Sequence, residues 1–205
     1  TNPPFAKAIG RDTEESIRIL DQYTIARDEG GPRGSVRSSL LFAERYHGLL
    51  RPGGLWITII DDGILSGEDH REFRGKLREW FLIRAVISLP GDAFQRSNAR
   101  VKTSYLIAEK RAPGAEQEQP PLFMYPCRYV GIDDPKRQRQ RPGDAEARRK
   151  ADEEIQAVMS EYAQFQAGAN PQFTVQPDRA SDRLDVKNCL VSPGRRIQAW
   201  KQRGF

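Results

Sequence analysis

Three short apolar runs limit what this chain can fold into: Leu55–Asp61 (LWITIID), Ile83–Leu89 (IRAVISL) and Thr103–Glu109 (TSYLIAE). Each is rich in β-branched residues, too short for a buried helix and bounded by turn formers, so each reads as a largely buried strand. The first two are separated by a helical pattern over about 68–81, in which Phe73, Leu77, Trp80 and Phe81 recur at helix spacing. Upstream, helices are predicted over 12–27, opened by a capping box from Asp12 and Glu15, and over 36–50, with Phe42, Tyr46, Leu49 and Leu50 on one face. Glu29–Gly34 reads as the loop between them, and Pro52-Gly53-Gly54 stops the second helix in a tight turn. Helices alternating with buried strands mean an α/β sheet with parallel elements, and in such sheets ligands sit at the carboxyl ends of the strands.

After Arg111 the pattern changes. Residues 112–121 (APGAEQEQPP) read as a linker, 122–130 as a short strand, 135–143 as a basic polar loop, and 144–167 as a helix with Ile155, Val158, Met159, Tyr162 and Phe165 on one face and Gly168 as its stop. The tail over 169–205 has few periodic signals, ends in Arg195, Arg196, Lys201 and Arg203, and is expected to fold against something outside this chain. The chain therefore divides into 1–111, a linker with a short strand over 112–143, and a helical extension over 144–205.

At the carboxyl-end position that an α/β sheet reserves for ligands, the chain carries Thr1-Asn2-Pro3-Pro4-Phe5. Proline has a fixed φ and no N–H, and it holds the preceding residue extended, so Pro4 constrains Pro3 and Pro3 constrains Asn2. The segment then offers mainly acceptors: the Asn2 side-chain oxygen and the Pro3 carbonyl. Two acceptors fixed side by side suit a planar NH₂ group with two hydrogens to give. When both hydrogens are accepted, the nitrogen lone pair can be localised toward an electrophile. Phe5 supplies a flat face for a heteroaromatic ring, worth about 0.5–1.5 kcal/mol beyond area burial for a good aromatic pair. The implied reaction is alkylation of a planar amine by positioning and electrostatics, without a general base.

Other side chains fit simpler roles. Adjacent carboxylates at a strand end, Asp61 and Asp62, suit capping of the next turn better than metal binding. Cys127 and Cys189 lie far apart, and with His47 and His70 as the only histidines there is no zinc spacing, so both cysteines read as reduced thiols and both histidines as surface residues. Ser66 and Ser104 lack the context of a catalytic nucleophile. The net charge of +5 is compatible with an anionic partner without identifying one. The run Lys136, Arg137, Arg139 and Arg141 reads first as solvated surface, with phosphate contact as the alternative. No apolar run of membrane-span length and no signal peptide is present, so no membrane partner and a cytoplasmic location are expected.

The ordered series Asn2-Pro3-Pro4-Phe5, LLRPGGLWITIIDDGIL (49–65), REFRGKLREWFLIRAVISLPGDAF (71–94) and VKTSYLIAEK (101–110) resembles the catalytic half of N6-adenine DNA methyltransferases, most of all the modification subunits of type I restriction systems. The resemblance covers roughly residues 1–110. It implies the C-terminal half of a Rossmann-like, S-adenosylmethionine-dependent methyltransferase sheet, followed by a mixed and helical extension. It further implies a target adenine flipped out of double-stranded DNA and methylated at N6. Carried over by position, Asn2 and the Pro3 carbonyl accept from the adenine amino group, Pro4 fixes their geometry, and Phe5 stacks on one face of the base. Phe94, in Gly91-Asp92-Ala93-Phe94, is placed either to close the other face or to anchor its loop on the core. Arg96, Arg100 and Lys102 flank Phe94 and are the better candidates for DNA contact. No metal is implied, since methyl transfer from a sulfonium needs none. The partners implied are DNA, a specificity subunit or fused recognition domain, and a restriction subunit.

One departure from that family bears on the cofactor. Its cofactor site lies mainly in a glycine-rich strand-to-helix turn, and Gly53-Gly54 instead precedes a strand. The chain reads as an interior slice carrying the catalytic half, with 183–194 (RLDVKNCLVSPG) resembling the approach to a recognition domain. The 205 residues alone are accordingly expected to be inactive and to bind S-adenosylmethionine weakly or not at all; micromolar binding by calorimetry would overturn this. Two other functions fit the residues: an N-methyltransferase acting on RNA guanine or on a protein glutamine, and a non-catalytic DNA-binding or assembly subunit.

Overall fold

The computed structural model describes residues 1–4, 7–94, 101–114, 118–131, 143–169, 172–176 and 183–190. An N-terminal layer comes first: β1 (Ala8–Gly10), α1 (Glu14–Leu20), a 3₁₀ turn (Thr24–Ala26), β2 (Arg27–Asp28), β3 (Gly31–Pro32) and β4 (Ser35–Arg37). Helix α1 stops well short of the predicted 12–27. Its cap is Thr13, one residue beyond Asp12: the Ser16 N–H donates to Thr13 Oγ1 and the Thr13 N–H donates to Ser16 Oγ, both at 3.1 Å. The extended backbone that a cap requires falls at Thr13 (φ −134°, ψ 157°), so the reciprocal box forms there and not at Asp12 and Glu15.

The chain then runs through α2 (Ser38–Leu49), β5 (Leu55–Asp61), α3 (Asp62–Ser66), a 3₁₀ turn (Glu68–His70), α4 (Arg71–Trp80), β6 (Phe81–Ser88), β7 (Thr103–Lys110), β8 (Leu122–Pro126), α5 (Asp144–Gln166), β9 (Thr174–Val175) and α6 (Val186–Cys189). The central sheet has five strands in the order β5-β7-β6-β8-β9. Strand β7 is antiparallel to both β5 and β6, β8 runs parallel to β6, and β9 is antiparallel to β8. The expected α/β class is therefore met by a mixed sheet. At its entry, Gly53 adopts φ +75° and donates its N–H to the Lys110 carbonyl at 2.9 Å, which closes the turn that feeds β5.

Helices α2 and α4 cover one face of the sheet. There Trp56, Phe81, Ile83, Val86, Leu106 and Ala108 are buried with Leu40, Leu41, Ala43, Phe73 and Leu77. His47 stacks on Trp80 at 5.2 Å and meets Phe81 edge-on, so it is half-buried against this layer rather than fully at the surface. The buried side of α2 is Leu40, Leu41 and Ala43, while Leu49 is 65% exposed and Phe42 37% exposed. The buried face is thus rotated from the predicted one, with Tyr46 and Leu50 still packed partly buried against the core, because a run of apolar residues four and three apart fits two adjacent stripes equally well.

On the opposite face, Tyr162 and Phe165 of α5 pack on Phe123 of β8 at 5.2 and 5.6 Å. The β5 and β7 part of that face stays open, with Leu55 56% and Ile57 50% exposed. The segment 183–190 lies within this chain: Leu184 and Val186 join the main core, and the Leu184 N–H donates to the Leu65 carbonyl at 2.9 Å. Among the described residues, no helix is long and apolar enough to cross a membrane.

Candidate functional site

The Asn2 segment is sewn to the edge of β5. The Thr1 nitrogen donates to the Ile57 carbonyl at 2.6 Å, and the Thr1 carbonyl accepts from the Ile59 N–H at 3.1 Å. One residue bonded to both neighbours of Thr58 is the parallel pairing pattern. The side chain repeats the anchor: Thr1 Oγ1 donates to Thr58 Oγ1 at 2.9 Å and accepts from the Trp56 indole N–H at 3.2 Å. Thr1 thus lies opposite Thr58, mid-way along β5, and the chain continues toward the carboxyl end of that strand through Asn2, exposed, Pro3, buried, and Pro4, exposed.

A second anchor follows. Ser38, the first residue of α2, donates its hydroxyl to the Pro4 carbonyl at 3.3 Å and its N–H to the Lys7 carbonyl at 2.8 Å. Next to it, Ala8 pairs with Arg37 in the β1–β4 ladder. Arg37 reaches Asp61 at the end of β5, with Nη1 3.1 Å from Oδ2, so the start of α2 and the end of β5 are tied together. Asp61 also caps α3, accepting the Gly63 N–H at 2.7 Å.

Asp62 has a different role: its carboxylate accepts from Ser104 Oγ at 2.6 Å. Burial pushes the Asp62 carboxyl upward against the opposing effect of that hydrogen bond. The acidic pair thus divides into a cap and a link between β5 and β7. His70 is held below its ordinary value by burial and by the nearby Arg37 and Arg74 guanidiniums, and His47 by burial and Lys110. The Cys127 and Cys189 thiols, both free, are pushed up to about 11 by burial, which keeps them unreactive near neutrality.

Phe5 lies outside the described residues, as do Arg96, Arg100 and the run Lys136, Arg137, Arg139 and Arg141. Phe94 is described. It lines a cavity of about 410 Å³ with Ile87, Tyr105, Tyr129 and Met159, and the lining includes no residue of the Asn2–Pro4 segment. Thr1, β5, β7 and β6 follow one another across the sheet at about 4.8 Å per strand, so the roots of the Asn2 and Phe94 segments stand roughly 14 Å apart. Lys102 donates to Ser88 Oγ at 2.7 Å and to the Leu89 carbonyl, which commits its ammonium to the root of the Phe94 loop.

No described strand-to-helix turn is the glycine-rich cradle expected for S-adenosylmethionine. Free N–H groups at a helix start favour a bound carboxylate. One such N–H is already engaged by Thr13 at the start of α1, by the Lys7 carbonyl at the start of α2, and by the Asp61 carboxylate at the β5–α3 turn. The last would also set two acidic side chains against an anion. Among the described residues, no group of three or more His, Cys, Asp or Glu side chains is placed to hold a metal.

Ser38, Trp56 and Arg37 were not singled out by sequence reading. The only signals for them were a serine opening an apolar helix and an indole in a strand directly preceding the acidic pair.

Comparison with known proteins bears on the fold. Two solved structures match nearly all of the chain. One is a chain from a structure of a type I restriction–modification system, concerned with its complex assembly and conformational transition, at 19% identity and TM-score 0.55; the match covers 100% of this chain and 41% of that one. The other is a modification subunit assigned to a type I restriction enzyme of Vibrio vulnificus YJ016, at 15% identity and TM-score 0.53, covering 98% of this chain and 39% of that one. In fold, the chain is similar to type I modification subunits. It spans about two fifths of the length of these two chains. No protein-family model and no curated protein matches the sequence.

Proposed function

We propose that this chain is the amine-binding half of an N6-adenine DNA methyltransferase of the type I modification kind. The observation that carries the reading is the join between Asn2 and the sheet: Thr1 is paired parallel to the β5 edge, so the chain heads toward that strand's carboxyl end with Asn2 exposed and two prolines following it. In this reading the Asn2 side-chain oxygen and the Pro3 carbonyl each accept one hydrogen of the adenine amino group. Accepting both turns the N6 lone pair out of conjugation with the ring and toward the incoming methyl group, a stabilisation available only as the bond forms. Phe5 stacks on the base, and Phe94, which here lines the cavity beside α5, would have to leave it to close the second face.

S-adenosylmethionine, the donor that the sequence resemblance implies, would be held by residues other than those described. DNA, a specificity subunit and a restriction subunit are the proposed partners. Arg96 and Arg100 are the proposed phosphate contacts, with Lys102 bracing the loop that carries them.

DNA from cells with and without the gene, digested to nucleosides, is the direct test. N6-methyladenine present only with the gene is the expected result. Its absence from DNA, with gene-dependent methylation of ribosomal RNA guanine or of a protein glutamine, would move the same amine site to another substrate. Its absence from all three would overturn the reading.

A further inference from the structure

Ser38 donates twice toward the chain's first residues, with its hydroxyl to the Pro4 carbonyl and its N–H to the Lys7 carbonyl. A serine at a helix start commonly turns its hydroxyl to a free N–H of its own helix. In α2 the cap residue is Arg37, which makes no side-chain cap bond, and Ser38, only 5% exposed, directs its hydroxyl to Pro4 instead. The upstream end of the segment is fixed independently by Thr1, Thr58 and Trp56. Between these anchors, Pro3 and Pro4 have fixed φ and each holds the residue before it extended, so the segment moves largely as a unit. Held only at Thr1, it could tilt and carry the Asn2 and Pro3 acceptors together away from the substrate amine. The Ser38 bond at the Pro4 carbonyl restrains that tilt.

We propose that Ser38 is a positioning residue for this site: its hydroxyl holds the Pro4 carbonyl and thereby aims the Asn2 and Pro3 acceptors before the substrate amine arrives. The inference rests on the reading of Asn2 and Pro3 given above. Ser38 touches neither base nor methyl donor, so it acts on the rate of the chemical step and leaves binding unchanged. Displacement of about 1 Å in a positioned group can cost roughly 10²-fold in rate. A flanking proline pair limits the displacement here, so Ser38→Ala is expected to lower kcat about 10- to 50-fold, by the same positioning effect.

The experiment uses the complete protein with its partner subunits and compares Ser38→Ala, Ser38→Thr and Asn2→Ala. The expected result is a fall in kcat for Ser38→Ala, with KM for DNA and donor within about twofold and the thermal midpoint nearly unmoved, and recovery of most of kcat in Ser38→Thr, which keeps the hydroxyl. Wild-type kcat in Ser38→Ala, or a fall explained by a lowered midpoint and shared equally by Ser38→Thr, would overturn the inference. Asn2→Ala separates the two levels. If it still methylates at the wild-type rate, the reading of the tetrapeptide falls and the Ser38 inference with it; if it is inactive while Ser38→Ala is wild type, the Ser38 inference alone falls.

Discussion

On the proposed reading, Asn2→Ala in the complete protein is expected to lower kcat for adenine methylation by about 10²–10³-fold, the range measured when a single preorganised group is removed from a site of developing charge. The size of the loss follows from what Asn2 supplies. The Pro3 carbonyl alone leaves one amine hydrogen unaccepted, so the nitrogen lone pair stays conjugated with the ring. Folding should be spared: Asn2 is exposed, and an exposed substitution of this kind shifts stability by roughly ±0.5 kcal/mol. Single-turnover rates of methyl incorporation, set beside the thermal midpoint and the affinity for DNA, would check all three. A variant that keeps methylating at near the normal rate would remove Asn2 from the reaction; one that is inactive and also unfolded would assign it a role in folding. Asn2→Asp is an informative companion. It keeps an oxygen acceptor but brings a negative charge to the site, so a partial loss smaller than that of alanine is expected.

The strands were legible because their chemistry is local. Leu55–Asp61 was read with both ends correct, since Pro52-Gly53-Gly54 and Asp61-Asp62-Gly63 punctuate it on either side. The start of β6 was placed two residues late, as Phe81 and Leu82 extend the helical stripe of α4 as well as they begin a strand. Strand order was not legible. Strand β7 lies between β5 and β6, and its alternating burial marks which face is covered but not which neighbour it pairs with. The acceptor pair could be read from Asn2-Pro3-Pro4 because proline acts on its immediate neighbour. Ser38 could not, because its partner lies 34 residues upstream and the contact exists only after α2 docks beneath the loop. The rotated face of α2 has a related cause: with Leu40, Leu41, Phe42 and Ala43 in succession, which side is buried is decided by Trp56 and Phe81 across the interface.

The fully buried Arg74 leads to the second large effect. A charged residue in a helix with Arg71, Lys76 and Arg78 nearby reads as part of a solvated face, yet Arg74 of α4 is 0% exposed. Its guanidinium donates to the Ile64 carbonyl at 2.8 Å and the Gly67 carbonyl at 2.7 Å, the groups left over where α3 ends and the next turn begins. A short helix has few intrahelical acceptors to spare, and its terminal carbonyls must find donors elsewhere when buried. Arg74→Ala would remove this donor from both, leaving the Gly67 carbonyl with the His70 N–H at 3.2 Å and the Ile64 carbonyl without its guanidinium partner, and would open a cavity the size of the side chain. Leaving buried polar groups unsatisfied costs about 1–3 kcal/mol each, and large-to-small core changes cost about 2–5 kcal/mol, with the two terms overlapping in one site. A loss of about 3–5 kcal/mol in unfolding free energy is expected, within the range for breaking a buried charged contact. Arg74→Met should recover part of it, because the methionine refills the volume but restores neither guanidinium bond. Denaturant midpoints at unchanged slope would measure the two variants, and a loss below about 1 kcal/mol for alanine would show that the carbonyls find other donors. The consequence should also reach the site: the α3 turn orients Asp61, and Asp61 holds Arg37 beside the Ser38 anchor. Arg74→Met is therefore expected to lower methylation modestly, by less than tenfold, at temperatures where it is fully folded, since it loosens the platform under the Asn2 segment without touching the acceptors themselves.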